Sequence, residues 1–356
     1  MSRVLKVGII GQGRSGYSIH AATIKELPEY YRIAAVSDMD EANRQRAVNE
    51  FGCDAYADYK NLLERKDLDL IVNASPSHLH VPLTEEFLSH GFNVLCEKPL
   101  ARKAEEVDRL IATAERTGAK LTIFQQSRFN PAFRKIMEVI RSGKLGRVIQ
   151  ARVAYNNFQR RWDWQTLQVN NGGNLLNTGP HPLDQCLQIL GSDTMPDVFC
   201  KMDRVNTFGD AEDYVKIILK KDGHPLIDLE ISSCDALPLG MYHIQGQYGT
   251  ISGDQSRLKI RTFDPEKAPK QRLIREPLKN PDGSPAYCSE VLPWEEEEWV
   301  APEGYRFSDM ALEFYRRLYK TLVNGEPLEV TPEQVRLQIA VIEECHRQNP
   351  LPRLYS

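Results

Sequence analysis

Two residues of this chain combine suitable chemistry with telling settings. Lys98 follows the apolar run of "VLCEKPLAR" (94–102), where Pro99 excludes the helical region for the residue before it. A cis Lys98–Pro99 bond would suit a tight turn at that place. His181 lies in "GGNLLNTGPHPLDQCLQILG" (172–191), in which Leu183, Cys186, Leu187 and Leu190 recur at helical spacing and leave the histidine at the exposed N-terminal end. A neutral imidazole takes a proton near neutral pH, and an ammonium stabilises a developing alkoxide. Together they suit oxidation of a secondary alcohol if something accepts the hydride. The same histidine, flanked by Pro180 and Pro182, could instead do no more than cap its helix.

A hydride acceptor is implied near the N-terminus. "GQGRSG" supplies Gly11, Gln12, Gly13, Arg14, Ser15 and Gly16 directly after a strand-like run and at the start of a helix. In this pattern the first glycine makes the turn, the second admits a pyrophosphate, the third lets helix and strand pack, and the helix N-terminus faces the phosphates. Asp38 closes the second strand about twenty residues on, where an acid accepts hydrogen bonds from the adenosine ribose. That acid repels a 2′-phosphate, so NAD is expected over NADP, although Arg44 and Arg46 follow in the next helix. "NASPSHLH" (73–80) ends a further strand and brings Ser75, Pro76, His78 and His80 to the same edge, as cofactor contacts or helix caps. His78 and His80 lack a third ligand at zinc spacing, so no metal is expected.

The elements that must position these groups follow from pattern. Strands are expected at 4–10, 31–38, 68–76, within "FNVLCEKP" and within "KLTIFQQ". Helices are expected at 15–27, in "DEANRQRAVNEFG", at 81–91 and at 103–118. Such alternation implies a doubly wound parallel sheet of the Rossmann type, assigned to 1–124. After a helix at 131–146 the chain turns β-rich, with "RVIQARVAYNNF", a hairpin about Asp222-Gly223 expected to be type I′, and "MYHIQGQYGTISGDQSRLKIRTF". Residues 125–356 are therefore expected to form an α+β domain with a large open, mainly antiparallel sheet covered on one face by helices. The stretch 264–304 is expected to be irregular, with "WEEEEW" a solvated face. Helices return in "RFSDMALEFYRRLYKTLVNG" and, after Thr331 as N-cap and Pro332 as first helical residue, in "PEQVRLQIAVIEECHRQ".

Composition narrows the function classes. At 356 residues the chain suits about two domains. A net charge of −4 with scattered basic residues disfavours nucleic acid as a partner and suits a small molecule. Seven cysteines without a CxxC pair suit free thiols in a reducing compartment. The absence of a leader-like or spanning apolar segment leaves no membrane role and a cytoplasmic location as expectations.

The glycine motif, "ASPSHLH", "CEKPL" and "GGNLLNTGPHPLDQCLQILG" together resemble the glucose-fructose oxidoreductase, inositol dehydrogenase and rhizopine catabolism (Gfo/Idh/MocA) family, over nearly the whole chain except about 255–305. The resemblance implies that Glu97-Lys98-Pro99 is the family's EKP motif, with Lys98 beside the reacting oxygen and Pro99 near the nicotinamide. It implies His181 as acid and base. Many members carry aspartate four residues earlier; Asn177 stands there in this chain, suited to positioning a sugar hydroxyl but unable to take a proton. Sugar contacts are expected from 154–174, with Asn156, Arg160, Arg161, Trp162 and Trp164, and from Arg128. The function so implied is an NAD-dependent oxidoreductase acting on a secondary hydroxyl of a sugar, glycoside or inositol-type polyol. The alternatives are a glycosidase working by transient oxidation and elimination, and a non-catalytic NAD- or sugar-sensing regulator. A homodimer or homotetramer formed through the second sheet is expected.

Overall fold

Short apolar runs, too apolar to face water on either side, build the first sheet apart from its partly exposed edge strand, Asp54–Tyr56. In the computed structural model, which describes residues 3–355, these are β1 (Leu5–Ile10), β2 (Tyr31–Ser37), β3 (Asp54–Tyr56), β4 (Leu70–Asn73), β5 (Val94–Cys96) and β6 (Leu121–Ile123), all parallel in the order β3-β2-β1-β4-β5-β6. The connecting helices are α1 (Ala22–Lys25), α2 (Glu41–Phe51), α3 (Lys60–Leu63), α4 (His80–Ser89) and α5 (Ala104–Thr117). The helix expected at 15–27 opens as a wide π-type turn over Gly16–Ala21 before α1. The strand order reverses between β1 and β4, which places a crevice at their carboxyl ends. The glycine loop leaves β1 there, "NASPSH" leaves β4, and Lys98 leaves β5 next door. β3 and α3 were not expected, because three or four residues are too few to display a period.

The second sheet is formed by β7 (Val148–Asn156), β8 (Asp197–Asp203), β9 (Tyr214–Lys220), β10 (Leu226–Ser232), β11 (Tyr242–Gly246), β12 (Gly249–Gly253), β13 (Arg257–Phe263) and β14 (Trp294–Val300), in the order β14-β13-β12-β11-β7-β10-β9-β8. Only the β7–β10 pair is parallel. Alternation sets its faces: Val215, Ile217 and Leu219 of β9 and Ile227, Leu229 and Ile231 of β10 are buried. They share a core with Leu183, Cys186, Leu187 and Leu190. Those four belong to α8 (Pro180–Leu190), which follows α6 (Pro131–Arg141) and the single turn α7 (Asn174–Asn177). The opposite face is polar, with Lys216 between Asp228 and Glu230 at 2.5 and 3.2 Å.

Two local expectations are corrected. The β9–β10 hairpin exists, but only Gly223 of its turn has positive φ, at 80°, with the His224 N–H donating to the Lys221 carbonyl at 3.1 Å. A type I′ turn needs positive φ at both central residues, so Asp222 excludes it. The stretch 264–304 also contains β14, an edge strand made of the "WEEEEW" run. Its glutamates are solvated yet matched, Glu296 by Arg261, Glu298 by Arg257 and Glu297 by Lys135. Cross-strand charge pairing of this kind lets an apparently solvating run act as a strand.

The last two helices, α9 (Ser308–Asn324) and α10 (Pro332–Gln348), return to the first sheet. Phe314 and Tyr315 of α9 pack on Phe124 and Tyr31 with ring centroids 5.0 and 5.4 Å apart, and the Tyr31 hydroxyl donates to the Tyr315 carbonyl at 2.8 Å. Arg336 of α10 forks onto Asp108 of α5 at 2.6 and 2.9 Å. The core of the first sheet is thus completed by the C-terminal residues. Thr331 caps α10 in a capping box with Gln334, and Pro332 opens it. No helix among the described residues is long and apolar enough to cross a membrane.

One buried ion pair ties these parts together. The Arg128 guanidinium, 6% exposed, binds Asp184 of α8, with Nε to Oδ2 at 3.0 Å, and donates to the Glu329 carbonyl and the Gln334 side chain ahead of and within α10. Removing one partner strands a charge out of water. Arg128→Leu is expected to lower unfolding free energy by about 3–5 kcal/mol in urea titrations, and the Arg128→Leu/Asp184→Leu double variant by clearly less.

Candidate active site

The glycine loop has the steric signature of a dinucleotide cradle. A Cβ at Gly11, whose φ is 85°, would come within 2.6 Å of the Ala74 carbonyl, and one at Gly16 within 1.8 Å of the Gly11 carbonyl. At Gly13 a Cβ would meet nothing within 4 Å. The outer two glycines are therefore demanded by the protein itself, and the middle one keeps an open face for a ligand. Asp38 accepts from the Gln12 N–H at 2.6 Å and the Asp40 N–H at 2.8 Å, which fixes its carboxylate at the edge of the crevice. Arg44 donates to the Asp38 and Met39 carbonyls at 2.8 Å, while Arg46 donates to the Gln12 carbonyl at 2.7 Å and lies over the Tyr17 ring. Both guanidiniums are thus engaged with the backbone around the acid. Ser15 precedes the π-type turn without capping it. These features fit NAD, whose pyrophosphate the loop would hold and whose ribose Asp38 would hold.

The β4 loop braces the β5 loop. Ser75 Oγ donates to Asn73 Oδ1 at 2.7 Å, and Pro76 leads a 3-10 turn, Ser77–Leu79, that contains His78. The His80 ring is buried between the Pro99 carbonyl at 2.7 Å and the Ser75 carbonyl at 2.9 Å. It is wedged between the two loops; burial disfavours its charged form, and a neutral ring donates to only one of the two carbonyls. No group of three or more His, Cys, Asp or Glu suited to a metal is present among the described residues. The Lys98–Pro99 bond is cis.

Beneath Lys98 lies a buried polar chain. Glu97, 5% exposed, accepts from the Lys98 N–H at 3.0 Å and from His20 Nε2 at 3.2 Å. His20 Nδ1 and the Tyr315 hydroxyl of α9 share a hydrogen bond at 2.8 Å. Burial alone would raise the Glu97 carboxyl, but the His20 bond, with the charges about it, holds it down to about 2. It stays an anion at neutral pH. Burial lowers the Lys98 ammonium, Glu97 opposes this, and Arg14 and Arg161 add to the lowering. Lys98 Nζ donates to the Asn177 carbonyl at 2.7 Å.

That bond draws α7 and the start of α8 over the crevice, enclosing a cleft of about 580 Å³ lined by Arg14, Lys98, Gln159, Arg160, Arg161, Trp162, Asp163, Asn177, Thr178 and His181. His181 is pushed down to about 3, by burial first and then by the Lys98 charge, so its imidazole is neutral. Its Nδ1 is buried without a partner among the described residues. Asn177 Oδ1 accepts from Gln165 Nε2 at 3.2 Å, leaving its own amide N–H groups for another acceptor.

Of the residues expected to meet substrate, Arg160, Arg161, Trp162 and Asn177 line this cleft. Three do not. Arg128 is sealed in its pair with Asp184; Asn156 donates to Glu230 of β10 at 2.6 Å and to Asp235 in the loop beyond it at 3.1 Å; Trp164 opens a separate 3-10 turn. Alternation along the strand carries Asn156 away from the cleft, and a charged partner withdraws Arg128. Gln159, Asp163 and Thr178 were missed although they lie within the stretches singled out. His20 and Tyr315 were missed because a histidine and a tyrosine on helices give no local sign of a partner far along the chain.

A parallel sheet with this glycine cradle is an NAD-binding Rossmann fold, and it stands beside a cleft that holds a lysine and a histidine. Residues 5–125 match the oxidoreductase family with an NAD-binding Rossmann fold, and residues 133–252 match the GFO/IDH/MocA C-terminal domain. The chain belongs to the Gfo/Idh/MocA family. It is 28% identical over 253 residues to 2,7-anhydro-N-acetylneuraminate hydratase of Mediterraneibacter gnavus, covering 69% of this chain and just under two thirds (66%) of that protein. An uncharacterised oxidoreductase of Schizosaccharomyces pombe is 26% identical over 97% of this chain and 96% of its own. Among solved structures, the WlbA dehydrogenase of Bordetella pertussis, in complex with NADH and UDP-GlcNAcA, shares the fold with a TM-score of 0.76 at 18% identity, covering 98% of this chain and 96% of that one.

One buried acid supports the cleft from behind. Glu212, 3% exposed, accepts from the Leu175 N–H of α7 at 2.9 Å, beneath Gly173, whose φ of 107° and missing Cβ leave room for the carboxyl. Burial raises it from 4.5 to about 7. The folded chain therefore holds this proton more tightly than the unfolded chain, so the stability it contributes is full below about pH 4.5 and lost as pH rises toward 7. Glu212→Gln is expected to stabilise the protein at pH 8 by about 1–3 kcal/mol and scarcely at pH 4.5, as read from urea titrations at the two pH values.

Proposed function

We propose that this protein oxidises a secondary hydroxyl of a sugar, glycoside or inositol-type polyol with NAD, His181 taking the hydroxyl proton and Lys98 stabilising the oxygen. The observation that carries this reading is the pairing of a desolvated ammonium with a neutral imidazole on one cleft, beside the cradle for the cofactor. NAD, when bound, supplies the hydride acceptor. Lys98 holds the hydroxyl oxygen and favours its loss of a proton. His181 is ready to accept that proton because burial and Lys98 keep it neutral. Asn177 orients a neighbouring hydroxyl without exchanging a proton. Glu97, fixed by His20 and Tyr315, balances Lys98 from below and is a positioning residue.

In this reading residues 1–124 bind cofactor and 125–356 bind substrate, with the uncovered face of the second sheet joining copies into a homodimer or homotetramer. All seven cysteines are free, which supports a reducing compartment such as the cytoplasm.

Lys98→Met is expected to lower turnover of a responsive polyol about 10²–10³-fold, followed at 340 nm, while NAD still binds in calorimetry. A regulator that only senses ligand would scarcely notice the change. Because His181 is pushed down to about 3, the acid limb of kcat/KM should lie below pH 5, well under the range of an ordinary histidine. A limb centred near 6.5 would contradict the assigned environment.

The likeness to an anhydro-sugar hydratase favours a second reading, in which the same two residues serve transient oxidation, elimination and re-reduction. Release of an aglycone from an aryl glycoside, without net NADH, distinguishes it.

A further inference from the structure

The cleft gathers four cations against one carboxylate, in a chain whose net charge is −4. Arg161 and Asp163 balance each other, through Nε to Oδ1 at 3.1 Å and Nη2 to Oδ2 at 2.6 Å. Glu97 balances Lys98 from below. Lys98 Nζ donates to the neutral Asn177 carbonyl, and Glu97 acts on it through charge without a direct hydrogen bond to Nζ. Two positive charges remain, Arg14 of the glycine loop and Arg160, neither with a carboxylate at ion-pair distance among the described residues. Arg160 lies over the Phe208 ring, 4.9 Å from guanidinium carbon to centroid.

A single exposed arginine on a protein surface needs no explanation. Convergence within one concavity does, because like charges facing one another there raise the energy of the empty site, and concave walls focus the field. The cost falls away when an anion enters. Trp162 stands at the same place with its side chain 79% exposed, giving a platform for the C–H face of a ring.

We propose that the substrate is an anionic sugar, bound through a carboxylate or phosphate by Arg160 at the mouth of the cleft while its reacting hydroxyl reaches Lys98 and His181. The planar guanidinium fork suits either group, and a charge-assisted pair of this kind fixes the sugar's direction as well as its affinity. The proposal rests on the dehydrogenase reading for the role of the inner pair, but the anion preference stands on the charges alone.

The experiment compares matched compounds on the full-length enzyme: methyl glucuronide against methyl glucoside, methyl galacturonide against methyl galactoside, N-acetylneuraminate against its methyl ester, and glucose 6-phosphate against glucose. NADH formation is read at 340 nm, and binding is read by calorimetry on the NAD complex of the His181→Asn variant. The anionic member of at least one pair is expected to bind and turn over about 10–100-fold better, with the preference falling as KCl rises. The uronate, sialate and phosphate arms separate carboxylate from phosphate recognition. Arg160→Gln should narrow the anionic-to-neutral ratio and Arg160→Lys restore part of it, which a merely structural role would not do. Equal or better use of the neutral members, or no selective binding in any pair, overturns the proposal. Selective binding of an anion with no NADH formed by the unaltered enzyme would uphold it and count instead against the dehydrogenase reading.

Discussion

An ammonium held partly out of water beside a buried carboxylate is the interaction on which this site depends. Lys98 at the end of β5 would lose its charge readily if burial acted alone, and Glu97 directly beneath it opposes that loss. Burial works against the Glu97 charge too, and the His20 bond with the charges about it keeps the carboxyl ionised. The same ammonium adds its charge to the burial that keeps His181 neutral, and by donating to the Asn177 carbonyl it positions the turn that carries that histidine. One charge thus performs an electrostatic and a mechanical task.

The rest of the chain is arranged to keep that charge in place. Tyr315, on a helix near the C-terminus, closes the chain of bonds that begins at Glu97, and its carbonyl accepts from Tyr31 in the first sheet. Arg128 and Asp184 lock α8 to the start of the second half and to α10. His80 is wedged between the β4 and β5 loops. Each of these groups is buried, so each hydrogen bond they make is costly to break.

How well the fold could be read depended on the length of its signals. Six strands of the second sheet were legible because alternation persists over five to nine residues. β14 was not, since a run of glutamates has low strand propensity and is held by arginines on its neighbour. The type I′ assignment at Asp222-Gly223 failed because loop length, not the dipeptide, set the turn. In the site, Gly11, Gly16 and Asp38 carry local patterns, and Lys98 and His181 stand out against prolines. Arg128 misled because a carboxylate far along the chain withdraws it, and Asn156 because alternation on β7 turns it toward Glu230.

Sequence alone determined which chemistry this chain can carry: a dinucleotide cradle, a lysine pinned before proline and a histidine at a helix start. Those are properties of a few consecutive residues and their backbone preferences. Tertiary structure alone decided which groups meet. His20, Glu97 and Tyr315 are far apart in sequence, and only the return of α9 to the first sheet brings them within hydrogen-bond reach. The protonation of His181, the burial of Glu212 and the excess positive charge of the cleft likewise arise from desolvation and proximity, which depend on the packed fold and leave no local mark on the chain.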